Sequence, residues 1–229
     1  MEYEWKQAAK TLDSITVTSQ ENNEPVIVEG QTDDLRCVGV GTDAAVFQSI
    51  QAPAYAFKLF ARDKQLKIKT EAEVYQSLGP SSYFPDFYGA EERCLVLSYE
   101  DGTTFYDCLL QGIPIPEQAV KDIEHARCYV KQRGLNPRDI HLRNMLLQHG
   151  RGKLIDVSEY ALPGNDYRFE HLKQAYDEYY PLIKGRPVPF WLAEVVRKWY
   201  NQRSDHFSSY DEFLQKVKKL FLFKKEHTR

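Results

Sequence analysis

At 229 residues and a formal net charge of −3, the chain is long enough for one large or two small globular units, with no charge excess to draw it to nucleic acid or an anionic membrane. Hydrophobic residues make up 42% and charged residues 28%, and 15 Tyr with 12 Phe argue against disorder over most of the length. No apolar run approaches a membrane span, the first residues do not read as a secretory signal, and Cys37, Cys94, Cys108 and Cys128 are too scattered for a zinc site. A cytoplasmic protein with reduced thiols is the expectation.

In chain order, Trp5, Ala8, Ala9 and Leu12 at helical spacing predict a short helix over 3–12. Ile15–Thr18 and Val26–Val28 read as β-segments around a turn at 20–25, an added hairpin with no function assigned. Leu35–Val38 then leads into Gly39-Val40-Gly41, with Ala44 and Val46 following. Two glycines one residue apart make either a plain hairpin turn or a place where backbone amides approach a polyphosphate. Ala54–Phe60 alternates as a strand and carries Lys58, which either snorkels to solvent or meets an anion. Thr70–Leu78 reads as a charged amphipathic helix with Glu71 and Glu73, solvated on its face or turned to that lysine. Tyr83–Gly89 reads as a turn and Cys94–Tyr99 as a buried strand. Glu117–Arg133 has the spacing of a helix with one buried face, and Gly134 stops it.

A polar loop follows, holding Asp139, His141 and Asn144, and runs into the apolar strand Met145–Leu147. A second short strand, Lys153–Ile155, ends on Asp156. Two carboxylates and an amide at such strand ends can form one polar cluster. Asp139 can orient a hydroxyl there, while Asn144 and Asp156 offer hard oxygens to a divalent metal. Helices are expected over Tyr167–Ile183, Pro189–Gln202 and Ser209–Phe223. The basic tail Lys216–Lys225 reads as part of a terminal helix that packs Leu214, Val217, Leu220 and Phe221, in preference to a lipid or nucleic-acid contact.

These motifs resemble the protein-kinase superfamily. Gly134–Leu147 aligns without a gap on "GIVHRDLKPENILL", Lys153–Asp156 on the start of "KLIDFG", and Leu95–Phe105 on the hinge pattern "LVMEYVEGGTL". Gly39, Val40, Gly41, Ala44 and Val46 resemble the glycine-rich loop, with Ala44 in place of its third glycine. The resemblance implies ATP and Mg2+ as cofactors. Lys58 would bind the α- and β-phosphates, held by Glu71. Ser98 C=O and Glu100 N–H would meet adenine below Val46 and beside Leu97. Asn144 and Asp156 would hold metal, and Asp139 would act on the acceptor hydroxyl.

The resemblance also implies an α+β, bilobal protein-kinase-like domain: a β-rich first lobe over 1–101 (with an extension at 1–33) and a reduced helical second lobe over 102–229. Departures matter for mechanism. Pro137 replaces a supporting histidine, His141 replaces the lysine that faces the transferring phosphate, and Val157-Ser158 replace Phe-Gly. His141 is also what aminoglycoside-phosphotransferase-like enzymes often carry. No Ala-Pro-Glu follows, and the short last third is similar to compact atypical kinases of the Bud32 and RIO types. A serine/threonine protein kinase with an unknown acceptor is expected. A small-molecule kinase and an ATP-binding pseudokinase module stay open beside it.

Overall fold

A computed structural model describes residues 2–30, 32–202, 207 and 209–226. The chain starts with helix α1 (Glu2–Ala9), a 3-10 turn at Lys10–Ser14, and strands β1 (Thr16–Thr18) and β2 (Ile27–Glu29). The expected hairpin is present: β1 and β2 pair antiparallel, with Thr16 opposite Glu29. An antiparallel sheet follows, made of β3 (Leu35–Val40), β4 (Ala44–Ser49), β5 (Tyr55–Phe60), β6 (Phe87–Ala90) and β7 (Cys94–Ser98), in the order β3-β4-β5-β7-β6. Helix α2 (Leu66–Leu78) crosses between β5 and β6.

Side chains alternate across this sheet, and each face has its own core. Phe47, Phe57, Leu59, Cys94 and Val96 pack on one face against Trp5, Leu12, Ile15, Val17 and Val26. Ala44, Phe60, Leu95 and Leu97 face the other way, against α2 and the rest of the chain. The expected simple alternation of β5 is therefore modified. All six of its residues are buried, because the N-terminal helix and hairpin cover the face that would otherwise meet water.

The remainder is mainly helical: α3 (Phe105–Gln111), α4 (Glu117–Gln132), α5 (Arg168–Ile183), α6 (Phe190–Asn201) and α7 (Tyr210–Glu226). Between α4 and α5 lie β9 (Met145–Gln148) and β10 (Arg151–Leu154), which form a small antiparallel sheet with β8 (Thr103–Thr104). Helix α4 rests directly on β10. A Cβ at Gly152 would lie 2.1 Å from Ala119 O, so only glycine permits the approach. Asp122, buried on α4, accepts from Gly152 N–H (3.0 Å) and from Arg151 Nε (2.7 Å) and Nη2 (2.8 Å). One continuous core joins sheet and helices, from Leu95 and Leu97 through Ile123 and Ala126 to Phe169 and Tyr180.

Two elements depart from the sequence reading. Tyr83–Gly89 is not wholly a turn, since β6 begins at Phe87 and pairs with β7. Helix α3 was not expected, yet its start is signalled by Thr104 and Asp107. Thr104 Oγ1 accepts from Asp107 N–H (3.0 Å) and donates to its carboxylate (2.6 Å), a reciprocal cap. In the tail, Leu214 is buried and Val217 half-buried as expected, whereas the Leu220 and Phe221 side chains lie outside the described residues. Among the described residues no helix is long and apolar enough to cross a membrane.

Candidate active site

Strand register sets the first part of the site. Lys58 lies opposite Val46 on β4 and Leu95 on β7, in the middle of the sheet and on its inward face. Its Nζ donates to Glu71 Oε1 (2.7 Å) and Oε2 (2.9 Å) and to Asp156 Oδ2 (3.2 Å). Residues far apart in sequence thus meet on one ammonium. Glu71 is 1% exposed while Glu73 points to solvent, which resolves the choice between them. Lys58 does not snorkel.

Burial disfavours a charge on Lys58, but Asp156 and Glu71 outweigh it and hold the ammonium above its ordinary range. Burial pushes Glu71 up against the pull of Lys58. Asp156 behaves oppositely. Burial would raise it, yet Lys58 and the Ser158 N–H on Oδ1 (2.9 Å) keep it below the usual carboxylate range.

The loop above this strand carries the two glycines. Gly39 and Gly41 lie at the β3–β4 turn, and neither has a left-handed backbone. A Cβ at Gly39 would meet only Val46, at ordinary distance. At Gly41 the fit is tighter, since a Cβ there would lie 3.3 Å from Ala44 O. Val40 is exposed beside it, and Gly41 C=O accepts from Val26 N–H (2.8 Å), tying the loop to the N-terminal hairpin.

At the boundary between sheet and helices, Leu97 is buried. Ser98 Oγ accepts from Asp86 N–H (2.9 Å) and donates to Glu100 Oε1 (2.6 Å). The Glu100 carboxylate also takes Lys153 Nζ from β10 (2.6 Å) and the Gln148 amide (3.3 Å). Sequence reasoning considered only the Glu100 backbone. Its side chain braces the two halves of the chain together.

Asp139 has a left-handed backbone, φ +51, a conformation that costs a non-glycine residue about 1 kcal/mol or more. Its neighbours hold it there. Asp166 Oδ2 accepts Asp139 N–H (2.7 Å), and Asn144 Nδ2 donates to Asp139 C=O (3.0 Å). The carboxylate pairs with Arg168 Nη1 (3.0 Å) and lies 3.8 Å from His141 Nε2. Burial first, opposed by Arg168 and reinforced by Glu159, Asp156 and Asp166, raises Asp139 to about 7. Such a carboxylate takes up a proton readily near neutrality. Burial and the neighbouring Arg168 lower His141 to about 4, so its imidazole is neutral at pH 7 and brings no charge.

Asn144 and Asp156 adjoin through Ile155 N–H to Asn144 C=O (3.0 Å). Asn144 commits its amide nitrogen to Asp139, leaving its oxygen as the hard donor. Among the described residues no group of three or more His, Cys, Asp and Glu is arranged to hold a metal by itself. Two oxygen donors suit magnesium only where water and phosphate oxygens complete the shell.

Among curated proteins, the chain is 31% identical over 201 residues to the Bacillus subtilis (strain 168) protein named "Putative serine/threonine-protein kinase YrzF", spanning 84% of this chain and 92% of that one. This chain belongs to the YrzF family of serine/threonine-kinase-like proteins. No family model matches it. Of the residues singled out in the sequence, Lys58 contacts both Glu71 and Asp156, and Asp139 and Asn144 form a second contact beside them. The residues missed from sequence are Asp166 and Arg168. A basic first residue on a helix, where the dipole favours an acid, was the available signal for Arg168.

Proposed function

We propose that the chain is an ATP- and magnesium-dependent serine/threonine kinase of the cytoplasm, a compact bilobal protein-kinase-like domain divided near 101. The observation that carries this reading is the buried ammonium of Lys58 shared between Glu71 and Asp156, with Asp139 on the adjoining loop. A lysine fixed in this way presents a preorganised charge to the α- and β-phosphates. Gly39, Val40 and Gly41 approach the phosphates by backbone, and Val46, Leu97, Ser98 and Glu100 frame the base. Asn144 and Asp156 fit magnesium, which when bound neutralises phosphate charge. Asp139 orients the acceptor hydroxyl and receives its proton.

The name of the YrzF relative supports a protein serine or threonine as acceptor. The test is transfer of labelled γ-phosphate from Mg·ATP to the protein itself and to a cell extract, by wild type and Asp139→Asn. Label on protein Ser or Thr that falls by roughly 10²–10⁴ in the variant, with ATP binding retained, is expected. Label confined to small metabolites would overturn the protein acceptor. No transfer by folded, ATP-binding wild type would overturn the activity itself.

A further inference from the structure

Phosphoryl transfer moves negative charge between oxygens, and it is catalysed largely by fixed positive charge around them. Cations near Asp139 are mostly committed elsewhere. Lys58 serves Glu71 and Asp156. Arg138 turns to Glu159 (3.4 Å) and to the carbonyls of Pro163 and Gly164. Arg143 pairs with Glu194 on α6 (3.1 Å). Against them stand the carboxylates of Asp139, Asp156, Asp166 and Glu159. Among the described residues, Arg168 is the guanidinium paired with Asp139.

Its placement is built, at local cost. Arg168 opens α5, where the helix dipole disfavours a cation. Just before it, Tyr167 has a left-handed backbone, φ +57, which strains a residue with a side chain. Strain and a misplaced charge in one short connection are retained where the surroundings over-determine them. Asp166 supplies that constraint. Its Oδ2 accepts Asp139 N–H, its Oδ1 accepts Arg168 N–H (3.1 Å), and Oδ2 lies 3.6 Å from Arg168 Nε. Asn165 Oδ1 accepts Tyr167 N–H (2.9 Å), and Asn136 Nδ2 donates to Leu162 C=O (2.7 Å). The connection from Asp156 to α5 is thus fastened to the loop bearing Asp139. The Arg168 side chain is 36% exposed, so its guanidinium is anchored without being enclosed.

We propose that Arg168 is a catalytic cation of this site: it steadies Asp139 through Oδ1 and neutralises the phosphoryl group as that group passes to the acceptor. This rests on the kinase reading above. In the step, a hydroxyl lone pair forms the new bond to the γ-phosphorus. The bond from that phosphorus to the β,γ-bridging oxygen breaks, its electron pair staying on the departing nucleoside diphosphate. The hydroxyl proton passes to Asp139. An arginine supplied in cis is suited to this charge, being permanently cationic and able to present parallel N–H donors to phosphate.

The test uses ATP hydrolysis and self-labelling by the full chain, so that water or the protein itself is acceptor. Wild type, Arg168→Ala and Arg168→Lys are compared for turnover and for Mg·ATP affinity, and thermal unfolding confirms that each variant folds. We expect Arg168→Ala to lose roughly 10²- to 10³-fold in turnover while nucleotide affinity changes less than about threefold. Arg168→Lys should retain an intermediate rate, and added guanidinium ion should restore part of the rate to Arg168→Ala but none to Asp139→Asn. Turnover of Arg168→Ala within about threefold of wild type, or above it, would overturn the proposal and leave the kinase reading standing. An inactive wild type would overturn both. Should Arg168→Ala fail to fold, the Lys variant decides: full loss of affinity together with rate would mark the residue as structural.

Discussion

The sheet and the helical part hold their candidate site residues by different means. On the sheet side, Lys58 is locked by register between Val46 and Leu95, and its ion pair with Glu71 is sealed inside a core. On the helical side, Asp139 and Arg168 belong to partly exposed connections fixed by hydrogen bonds among Asp166, Asn165, Asn144 and Asn136. A buried pair is costly to break because it strands a charge, whereas an exposed polar joint loses geometry before it loses stability. Defects in the first region should therefore harm stability and nucleotide binding together. Defects around Asp139 should harm the rate alone.

Lys58→Met is the strongest way to break this contrast. It leaves Glu71 buried without its cation, so a stability loss of roughly 3 kcal/mol is expected in denaturant titration. A fall of at least tenfold in ATP affinity should accompany it by calorimetry, because the lysine's charge toward the phosphates is gone. Unchanged affinity would remove Lys58 from the phosphate site. Asp166→Ala probes the other region. Freeing Asp139 N–H and the Arg168 backbone should cost roughly 10²-fold in turnover through misplacement, with ATP affinity preserved. Equal losses in binding and rate would erase the distinction.

Asp122 gives a smaller effect in the helical region, set by burial and not by chemistry at the site. Asp122→Asn should cost about 2 kcal/mol at neutral pH, since the buried carboxylate joins Arg151 and Gly152 N–H to α4. Arg151 hydrogen bonding, against the cost of burial and helped by Gly152 N–H and Gln118, lowers Asp122 to about 2 in the fold. A depressed carboxylate stabilises the fold above its unfolded value near 4 and loses that contribution as pH falls toward 2. The gap between wild type and variant should therefore be full at pH 5 and nearly closed at pH 2. A gap unchanged across that window would show that the charge is not what matters.

The same division governs what could be read from sequence. Lys58, Glu71, Asp139, Asn144 and Asp156 stand in order on predicted elements, and it is the resemblance to the kinase motifs, beyond periodicity, that implies their meeting. Choosing Glu71 over Glu73 needed the helix's rotation against the sheet. Asp166 and Arg168 carry no motif, because their meaning depends on where a short connection lands. The cover over the outer sheet face was legible in one detail. Tyr55, Phe57 and Leu59 share β5 with Ala56, Lys58 and Phe60, so apolar residues fall on both alternating sets and both faces had to be covered. Helix α3 was lost inside the hinge resemblance, although Thr104 and Asp107 carry its capping pattern.

The bond between Val26 N–H and Gly41 C=O links the mouth of the proposed nucleotide cleft to the beginning of the chain. The loop can lift only if that bond opens or the hairpin lifts with it. The hairpin is seated on the sheet by Val17 and by the segment before it, through Trp5, Leu12 and Ile15. On the proposed reading, nucleotide exchange would then be coupled to a segment outside the cleft. A lesion in the first helix would therefore reach the proposed cleft through the same buried cluster that holds the fold together.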